Sequence, residues 1–462
     1  MKKYIYNIFK GVGLAFVFVL VLSSCDKWID TEINIDPDAP ADVPMKLMLP
    51  AIEQAMGYNM TGNDIVRVTN MWTQHFDGVV RQSYTQAKYT LLPSGVNNIW
   101  NSMYTEIFMN SKVLIAKAEG TDGDAASPHF AGVAQVITAT TLGIATDVFG
   151  DMPFSEGFSG DENILTPAFD SQETIYATIN STLDQAIANL SSATNAIAVS
   201  GDVIYGGDVD KWKKAAYSIK ARHALQLSAV NGNAAYTAAL AAAANGFTSN
   251  DDDYEVPWNA DNKNPIWQFM DERTDIRMGA TFVDMLKADD DPRLPFFVAE
   301  YEGDYVGSVI GSEVENCSWP GPYIAALDAP SVLMSYAELK FIEAEANLML
   351  GNTAAAQDAY EAAVSASVLK VTGSANAAWL AGNILGVPVT LDMIMTQKYI
   401  ATFGTNQPYA DYRRTGLPVL TPNPVGVLPN IPTRFPYAQD EITYNGANVP
   451  SVIISDKLWW DQ

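Results

Sequence analysis

The sequence predicts a mainly α-helical fold of tetratricopeptide-like helix hairpins separated by long loop insertions. Three observations favour this class. Apolar residues recur at helical spacing in most segments after Met45, turn residues such as Gly351 stand between paired periodic segments, and long Gly-, Pro- and Asn-rich stretches lie between the pairs. With 462 residues, 48% of them hydrophobic, the chain is long enough to bury a sizeable core.

The N-terminus has the parts of a lipoprotein signal peptide. Three lysines flank the start of an uncharged apolar stretch at residues 11–22, which runs into Leu22-Ser23-Ser24-Cys25. Small residues before a cysteine suit a cleavage that leaves the cysteine as the new N-terminus. A membrane span needs about 20 apolar residues, and this stretch is too short. We therefore predict a signal peptide at residues 1–24 and lipidation of the Cys25 thiol.

Residues 25–44 are predicted to be a flexible tether behind the lipid. This segment is acidic, is interrupted by prolines and has neither helical nor alternating periodicity, so it is expected to stay solvated. Residues 45–462 are then expected to form a single folded domain. Cys317 is the only other cysteine, so no intramolecular disulfide is expected once Cys25 is lipidated.

The charge balance excludes one class of partner. The chain has 53 acidic and 27 basic residues, a net charge of −26. A field of this sign repels polyanions unless a basic stripe is present, and the basic residues form only short clusters near Lys211 and Arg413. The sequence therefore predicts no nucleic-acid partner.

Several segments before the middle of the chain have helical spacing. The stretch 131–146 is uncharged, but it is short for a span and is interrupted by Thr and Gln, so it is predicted to be a buried helix. The segment 211–228 is followed by Asn231-Gly232-Asn233 and an alanine-rich stretch, which predicts a hairpin. The predicted helices are 98–118, 131–146, 171–190, 211–228 and 234–244.

The clearest hairpin lies further on. The segment 336–349 places apolar residues three or four apart with acidic residues between them, namely Glu338, Glu343 and Glu345, which predicts an amphipathic helix. Gly351 can take the left-handed conformation that ends this helix, and 355–364 supplies a second apolar face. Its small, turn and aromatic positions agree with one tetratricopeptide unit.

The insertions at 250–265, 300–330 and 415–450 are rich in Gly, Pro, Asn, Asp and aromatic residues and are predicted to form loops and short hairpins. A helical scaffold fixes the ends of such loops, and binding residues are often placed on them.

Motifs along nearly the whole chain after the predicted tether resemble the SusD/RagB family, and more closely its SusD-like branch. Their number and order carry the resemblance, since each alone is weak. They are the stretch TDVFGDMPF at 146–154, PAFDSQETIY at 167–176, the helix 212–222, DPRL at 291–294, SYAE at 335–338 with EAEA at 343–346, YRRTG at 412–416, RFPY at 434–437 and WWD at 459–461.

The resemblance implies a largely helical body with four tetratricopeptide-like units. It also implies a non-catalytic, lipid-anchored protein of the outer membrane surface that passes nutrients to a SusC-like TonB-dependent transporter. Family members bind mostly glycans and in some cases oligopeptides, and no cofactor is expected.

The residue types suggest where a ligand would bind. Sugars need flat aromatic faces beside amides, carboxylates and arginines, whereas an extended peptide needs backbone pairing and side-chain pockets. Trp319 and Tyr323 stand between turn formers in one insertion, Trp72 and Gln74 lie beside an imidazole, and Arg273 and Arg277 follow a Trp-containing stretch. Core packing or surface ion pairing is the alternative for each. The candidate contacts are Trp319, Tyr323, Trp72, Gln74, Arg273 and Arg277.

The main alternative is a surface glycoside hydrolase. HExxH, GxSxG and phosphate- or dinucleotide-binding glycine motifs are not found, and the three histidines are far apart in sequence. Two catalytic carboxylates could still be hidden among the 53 acidic residues. The runs 251–253 and 289–291 are expected to be solvated turns, with calcium binding left open. A structural or adhesion lipoprotein without a small ligand is a third reading.

Overall fold

The computed structural model describes residues 42–120 and 125–462. The predicted signal peptide, Cys25 and the tether as far as residue 41 lie outside the described residues. The first part of the folded chain is helical, with one short strand. Its elements are α1 (Met45–Asn59), α2 (Asp64–Trp72), β1 (Phe76–Gly78), α3 (Arg81–Ala87), a 3-10 turn (Pro93–Val96), α4 (Asn97–Ser102), a π-helical turn (Met103–Phe108) and α5 (Met109–Ala118).

The long central helix α6 (Pro128–Phe149) lies in the core. It begins with Pro128 at a position where the missing N–H is unused, and every residue from Phe130 to Phe149 is buried. Among the described residues it alone has the length and hydropathy of a membrane span. Its burial confirms the prediction of a core helix over 131–146.

The middle of the chain pairs helices across turns. The hairpin predicted from 211–244 is present, with Gly232 at its turn, and α7 covers the predicted 171–190. Ser171 and Asp208 cap α7 and α8 by accepting hydrogen bonds from first-turn N–H groups. The elements are α7 (Gln172–Leu190), α8 (Val209–Gln226), α9 (Ser228–Asn231), α10 (Asn233–Ala243), α11 (Pro265–Glu272), α12 (Ala280–Ala288), α13 (Leu294–Phe297) and α14 (Pro322–Ala325).

The predicted hairpin around Gly351 is also confirmed. Gly351 has a φ of +81° between α15 and α16, which pack along each other. The last elements are α15 (Tyr336–Met349), α16 (Thr353–Thr372), α17 (Ala377–Asn383), α18 (Leu391–Ala401), α19 (Gln407–Thr415), α20 (Gln439–Tyr444) and a 3-10 turn (Trp459–Asp461).

Two small antiparallel sheets join distant segments of the chain. β1 pairs with β3 (Ile276–Met278), and Asp77 stands opposite Arg277 in this register. β2 (Tyr254–Val256) pairs with β4 (Ser331–Met334), which leads directly into α15. The first sheet joins segments about two hundred positions apart and the second joins segments about eighty apart. β2 lies in the predicted insertion 250–265 and β4 directly follows the insertion 300–330, so the second sheet ties these two insertions together. Residues Met45–Gln462 form one compact unit.

Candidate functional site

The backbone around Trp319 is held on both sides by hydrogen bonds. On one side the Met278 N–H of β3 donates to the Ser318 carbonyl at 2.9 Å. On the other side the Ala299 N–H donates to the Trp319 carbonyl at 2.9 Å. A Cβ at Gly321 would lie 2.4 Å from the Phe296 carbonyl oxygen, so only glycine allows this close approach. Trp319 is therefore presented by a stiff segment.

The indole of Trp319 is 40% exposed, and Arg277 lies against it. The Arg277 guanidinium carbon is 5.3 Å from the ring centroid, within the range of a cation–π interaction. One face of the indole is thus covered by the guanidinium, and the remaining exposed surface is available to solvent. The structure brings these two predicted residues together.

The guanidinium of Arg277 is itself buried and engaged. Its Nε donates to the Glu315 carbonyl at 2.7 Å, and its Nη1 donates to the Thr274 carbonyl at 2.7 Å. Burial lowers the pKa of Arg277 from its ordinary value, and the nearby Glu315 carboxylate opposes this effect. With these bonds in place, Arg277 positions Trp319 rather than offering a free donor fork to a ligand.

Tyr323 packs against the core. Its ring packs edge-on against Phe297, 5.1 Å between centroids, and burial raises its pKa to about 12. The pyrrolidine of Pro320 and the close-packed Gly321 turn the chain between the two aromatics. Tyr323 is half-buried against the core, so its prediction as a ligand contact has less support from the structure than that of Trp319 and stays a prediction.

Trp72 and Gln74 lie inside the fold. Trp72 is fully buried, and its Nε1 donates to the Gln86 carbonyl at 3.0 Å. Gln74 is 3% exposed; its amide donates to the Thr421 carbonyl and accepts from the Thr281 hydroxyl at 2.7 Å. Both side chains are engaged in the core and leave no face for a ligand. This agrees with the alternative that Trp72 and Gln74 are core residues.

Arg273 is exposed at the end of α11. The acidic residue between the two predicted arginines pairs elsewhere: Asp275 is buried and accepts a hydrogen bond from Arg81 Nε at 2.8 Å. Arg81, whose side chain is 58% exposed, was not a sequence candidate because its partner lies 194 positions away. Sequence spacing could not have found this pair.

Three carboxylates of the two acidic runs pair with protein cations. Asp252 pairs with Lys214 at 2.9 Å and Asp253 with Lys370, while Asp291 pairs with Arg293 at 2.6 Å. In the part of the chain that the structure describes, no group of three or more His, Cys, Asp or Glu side chains is arranged to hold a metal ion. The prediction that both runs are solvated turns is therefore corrected for Asp252, Asp253 and Asp291, which are buried in ion pairs. The other three carboxylates of the runs are exposed.

These features define a helical scaffold of the tetratricopeptide type that fixes an aromatic side chain on a braced insertion. A model of the SusD-like family, described as starch-binding and associating with the outer membrane, matches residues 37–438. The chain therefore belongs to the SusD-like family. None of the curated proteins matches the sequence.

Solved structures share the fold. A SusD/RagB family protein of Bacteroides thetaiotaomicron is 26% identical, with a TM-score of 0.76 over 91% of this chain and 99% of that one. A protein described as chitin-binding is 25% identical, with a TM-score of 0.75 over 90% and 100%. A chitin-binding SusD homologue of Flavobacterium johnsoniae is 24% identical, with a TM-score of 0.76 over 90% and 98%.

Proposed function

We propose that the protein is a non-catalytic, lipid-anchored protein of the outer membrane surface. In this role it captures oligosaccharides and delivers them to a SusC-like TonB-dependent transporter. Family membership and the 25% identical relative described as chitin-binding support a glycan rather than a peptide. The predicted signal peptide and the small residues before Cys25 support the anchor.

The observation that carries the proposal is the half-exposed indole of Trp319 on a segment bonded at both edges. The C–H face of a pyranose stacks on such a ring, and a ring that is already fixed loses little conformational entropy on binding. Arg277 covers one face and keeps the ring in place, so the other side is the expected stacking surface.

Titration calorimetry with maltohexaose and chitohexaose tests the proposal. We expect Trp319→Ala to weaken binding of the preferred sugar by about 1 to 3 kcal/mol, the usual loss for a central aromatic contact. Tyr444→Ala is the matched control, because Tyr444 is 79% exposed on α20 and is not part of the proposed contact. Unchanged affinity in Trp319→Ala, or an equal loss in the control, rejects this assignment.

Two further measurements address the other parts of the proposal. Incubation of the purified protein with both sugars should release no shorter product, and turnover would favour the glycoside hydrolase. The protein purified from solubilised membranes should bring a large transporter barrel with it. Purification of the protein without such a partner would favour a structural or adhesion role. A peptide library run beside the sugars decides between the two ligand classes.

A further inference from the structure

A cleft of about 770 Å³ opens on a different part of the surface. Helix α1 forms one wall with Tyr58, the start of α4 and the π-helical turn form a second, and the segment 258–268 forms the third. Its volume lies within the roughly 300–1,000 Å³ of typical ligand pockets. Neither Trp319 nor Arg277 lines it.

Side-chain amides dominate the polar lining of this cleft. An amide both donates and accepts, which matches sugar hydroxyls that also do both. The rim is stiff, since the Asn259 side chain accepts from the Asp261 and Asn262 N–H groups at 2.9 and 3.0 Å. The amide residues that line the cleft are Gln54, Asn59, Asn63, Asn98, Asn262 and Gln268.

Tyr58 supplies an aromatic face. Its ring is 36% exposed and meets Trp258 edge-on, with 6.4 Å between centroids and an interplanar angle of 78°. Trp258 is 7% exposed, and its Nε1 donates to the Ser331 hydroxyl at 2.9 Å. Trp258 is thus locked and supports Tyr58, whose free surface faces the cleft.

Asn63 carries an unused acceptor. It stands at the N-cap of α2, where asparagine usually accepts a hydrogen bond from the first turn, yet its side chain makes no such bond. Its Oδ1 is buried and has no hydrogen-bond partner among the described residues. A buried acceptor without a donor is costly. Asn63 lines the cleft, so a turn of its amide toward the cleft would let a ligand hydroxyl supply that donor.

The charges of the lining favour an uncharged ligand. Asp64 is paired with Arg67 at 2.6 Å, and the Lys263 ammonium lies 4.8 Å from the Trp267 ring centroid. Glu106 and Asp261 also line the cleft, so an anionic sugar would meet carboxylates.

From the cleft volume, the amide lining, the fixed Tyr58 ring and the unpartnered Asn63 oxygen, we infer a second glycan site that takes a short uncharged oligosaccharide. This inference rests on the proposed function, because it assigns a second contact surface to the same uptake role. Two separated surfaces would let one chain hold two parts of a long glycan, which raises the effective concentration at each.

The test combines variants of both surfaces in calorimetry with maltohexaose, chitohexaose and an acidic oligogalacturonide of equal length. In a Trp319→Ala background a neutral sugar should still bind, and adding Tyr58→Ala or Asn63→Ala should weaken that residual binding by about tenfold or more. Tyr58→Phe keeps the ring and should retain the affinity. The oligogalacturonide should not bind at this surface.

Thermal melting of each variant shows whether it is folded. If Tyr58→Ala is unstable, Asn63→Ala alone tests the residual binding at the cleft. Residual binding that is indifferent to both substitutions, or a preference for the acidic sugar, overturns the cleft assignment. If Trp319→Ala alone abolishes all binding, the cleft fails while the Trp319 surface stands. If no sugar binds the unaltered protein, both the cleft and the proposed function fail.

Discussion

Asp77 is a buried carboxyl whose ionisation opposes folding. It is 1% exposed on β1 and accepts a hydrogen bond from the Ser308 hydroxyl at 2.7 Å. Burial raises its pKa to about 6, while that bond and one from the Gly311 N–H act in the opposite direction. The pKa of Asp77 in the folded protein therefore lies above its unfolded value of about 3.9. Protonated Asp77 contributes its full stability below about pH 3.9, and this contribution is lost as the pH rises through about 6.

We therefore predict that Asp77→Asn becomes relatively more favourable at higher pH. Between pH 5 and pH 7.5 the free energy of unfolding of the variant, minus that of the unaltered protein, should rise by about 1 kcal/mol. Urea unfolding at the two pH values measures this difference. His75 is buried, and burial lowers its pKa to about 3, so its own pH dependence has the opposite sign, but it cancels in the difference.

A control carboxyl separates this effect from general charge effects. Asp304 is exposed, and its hydrogen bond and ion pair with Lys287 lower its pKa, so it is ionised in both states throughout this pH window. Asp304→Asn should show no change in the same difference. A flat response for Asp77→Asn as well would mean that Asp77 is hydrated.

For single residues, the sequence predicts which side chains have the right chemistry to contact a ligand, but it does not predict which of them are buried. Trp72 and Trp319 are both aromatic residues beside polar neighbours, yet one is fully buried and the other is 40% exposed. Tyr409 and Phe435 surround Trp72 from segments more than three hundred positions away. Burial set by such distant contacts cannot be derived from local pattern.

Among the elements, α15 is tied to its neighbours by buried charge. Glu338 accepts from Arg222 of α8 at 2.6 Å through both carboxylate oxygens, and Glu345 accepts from Arg414 of α19. Both glutamates are 1% exposed, so they do not lie on a solvent face as the amphipathic pattern predicted. Arg414 therefore bridges α19 to α15 through a buried ion pair.

The hairpins were predictable because each uses local signals. Helical spacing, a cap such as Ser335 and a glycine turn occur within one short segment, and α15 and α16 form where those signals place them. The small sheets were not predictable in this way, because β1 and β3 are joined by hydrogen bonds across about two hundred positions. The register of β3 could therefore not be derived from the sequence, nor could the hydrogen bond by which its Met278 N–H holds Ser318, next to Trp319.

We predict that breaking the Arg222–Glu338 pair destabilises the fold strongly. Glu338→Leu alone should lower the free energy of unfolding by about 3–5 kcal/mol, because it leaves a buried guanidinium without its partner. Adding Arg222→Met should recover most of the loss, because it removes the guanidinium that the first substitution leaves unpaired. Urea unfolding of the single and double variants measures both.

The exposed pair within α8 is the matched control. Lys213 and Asp210 are 2.9 Å apart at the surface, and Lys213→Ala should cost less than about 1 kcal/mol. If the Glu338→Leu variant were as stable as this control, Arg222 would have to find another acceptor or water, and the bridge would not hold α15 against α8.

For the whole molecule, the proposed role needs one folded body that is held at a surface and offers its insertions outward. Met45–Gln462 form that body, and the family match covers most of it. The net charge of −26 disfavours strongly acidic ligands in general, in agreement with the proposed glycan class. Attachment to the membrane then depends on the first residue of the proposed mature chain.

We predict that Cys25 carries the lipid anchor. Cleavage before it would expose its thiol and amine for acylation, and a multiply acylated N-terminus should hold the protein in the detergent phase on Triton X-114 partition. A chain that starts at Asp26, and so lacks both the signal peptide and Cys25, should move to the aqueous phase with an unchanged melting temperature, because both precede the folded body. Cys317→Ser, at a buried thiol within the body, should leave the partition unchanged. Mass spectrometry that found Cys25 unmodified in a cytosolic pool would refute the anchor and the surface role that depends on it.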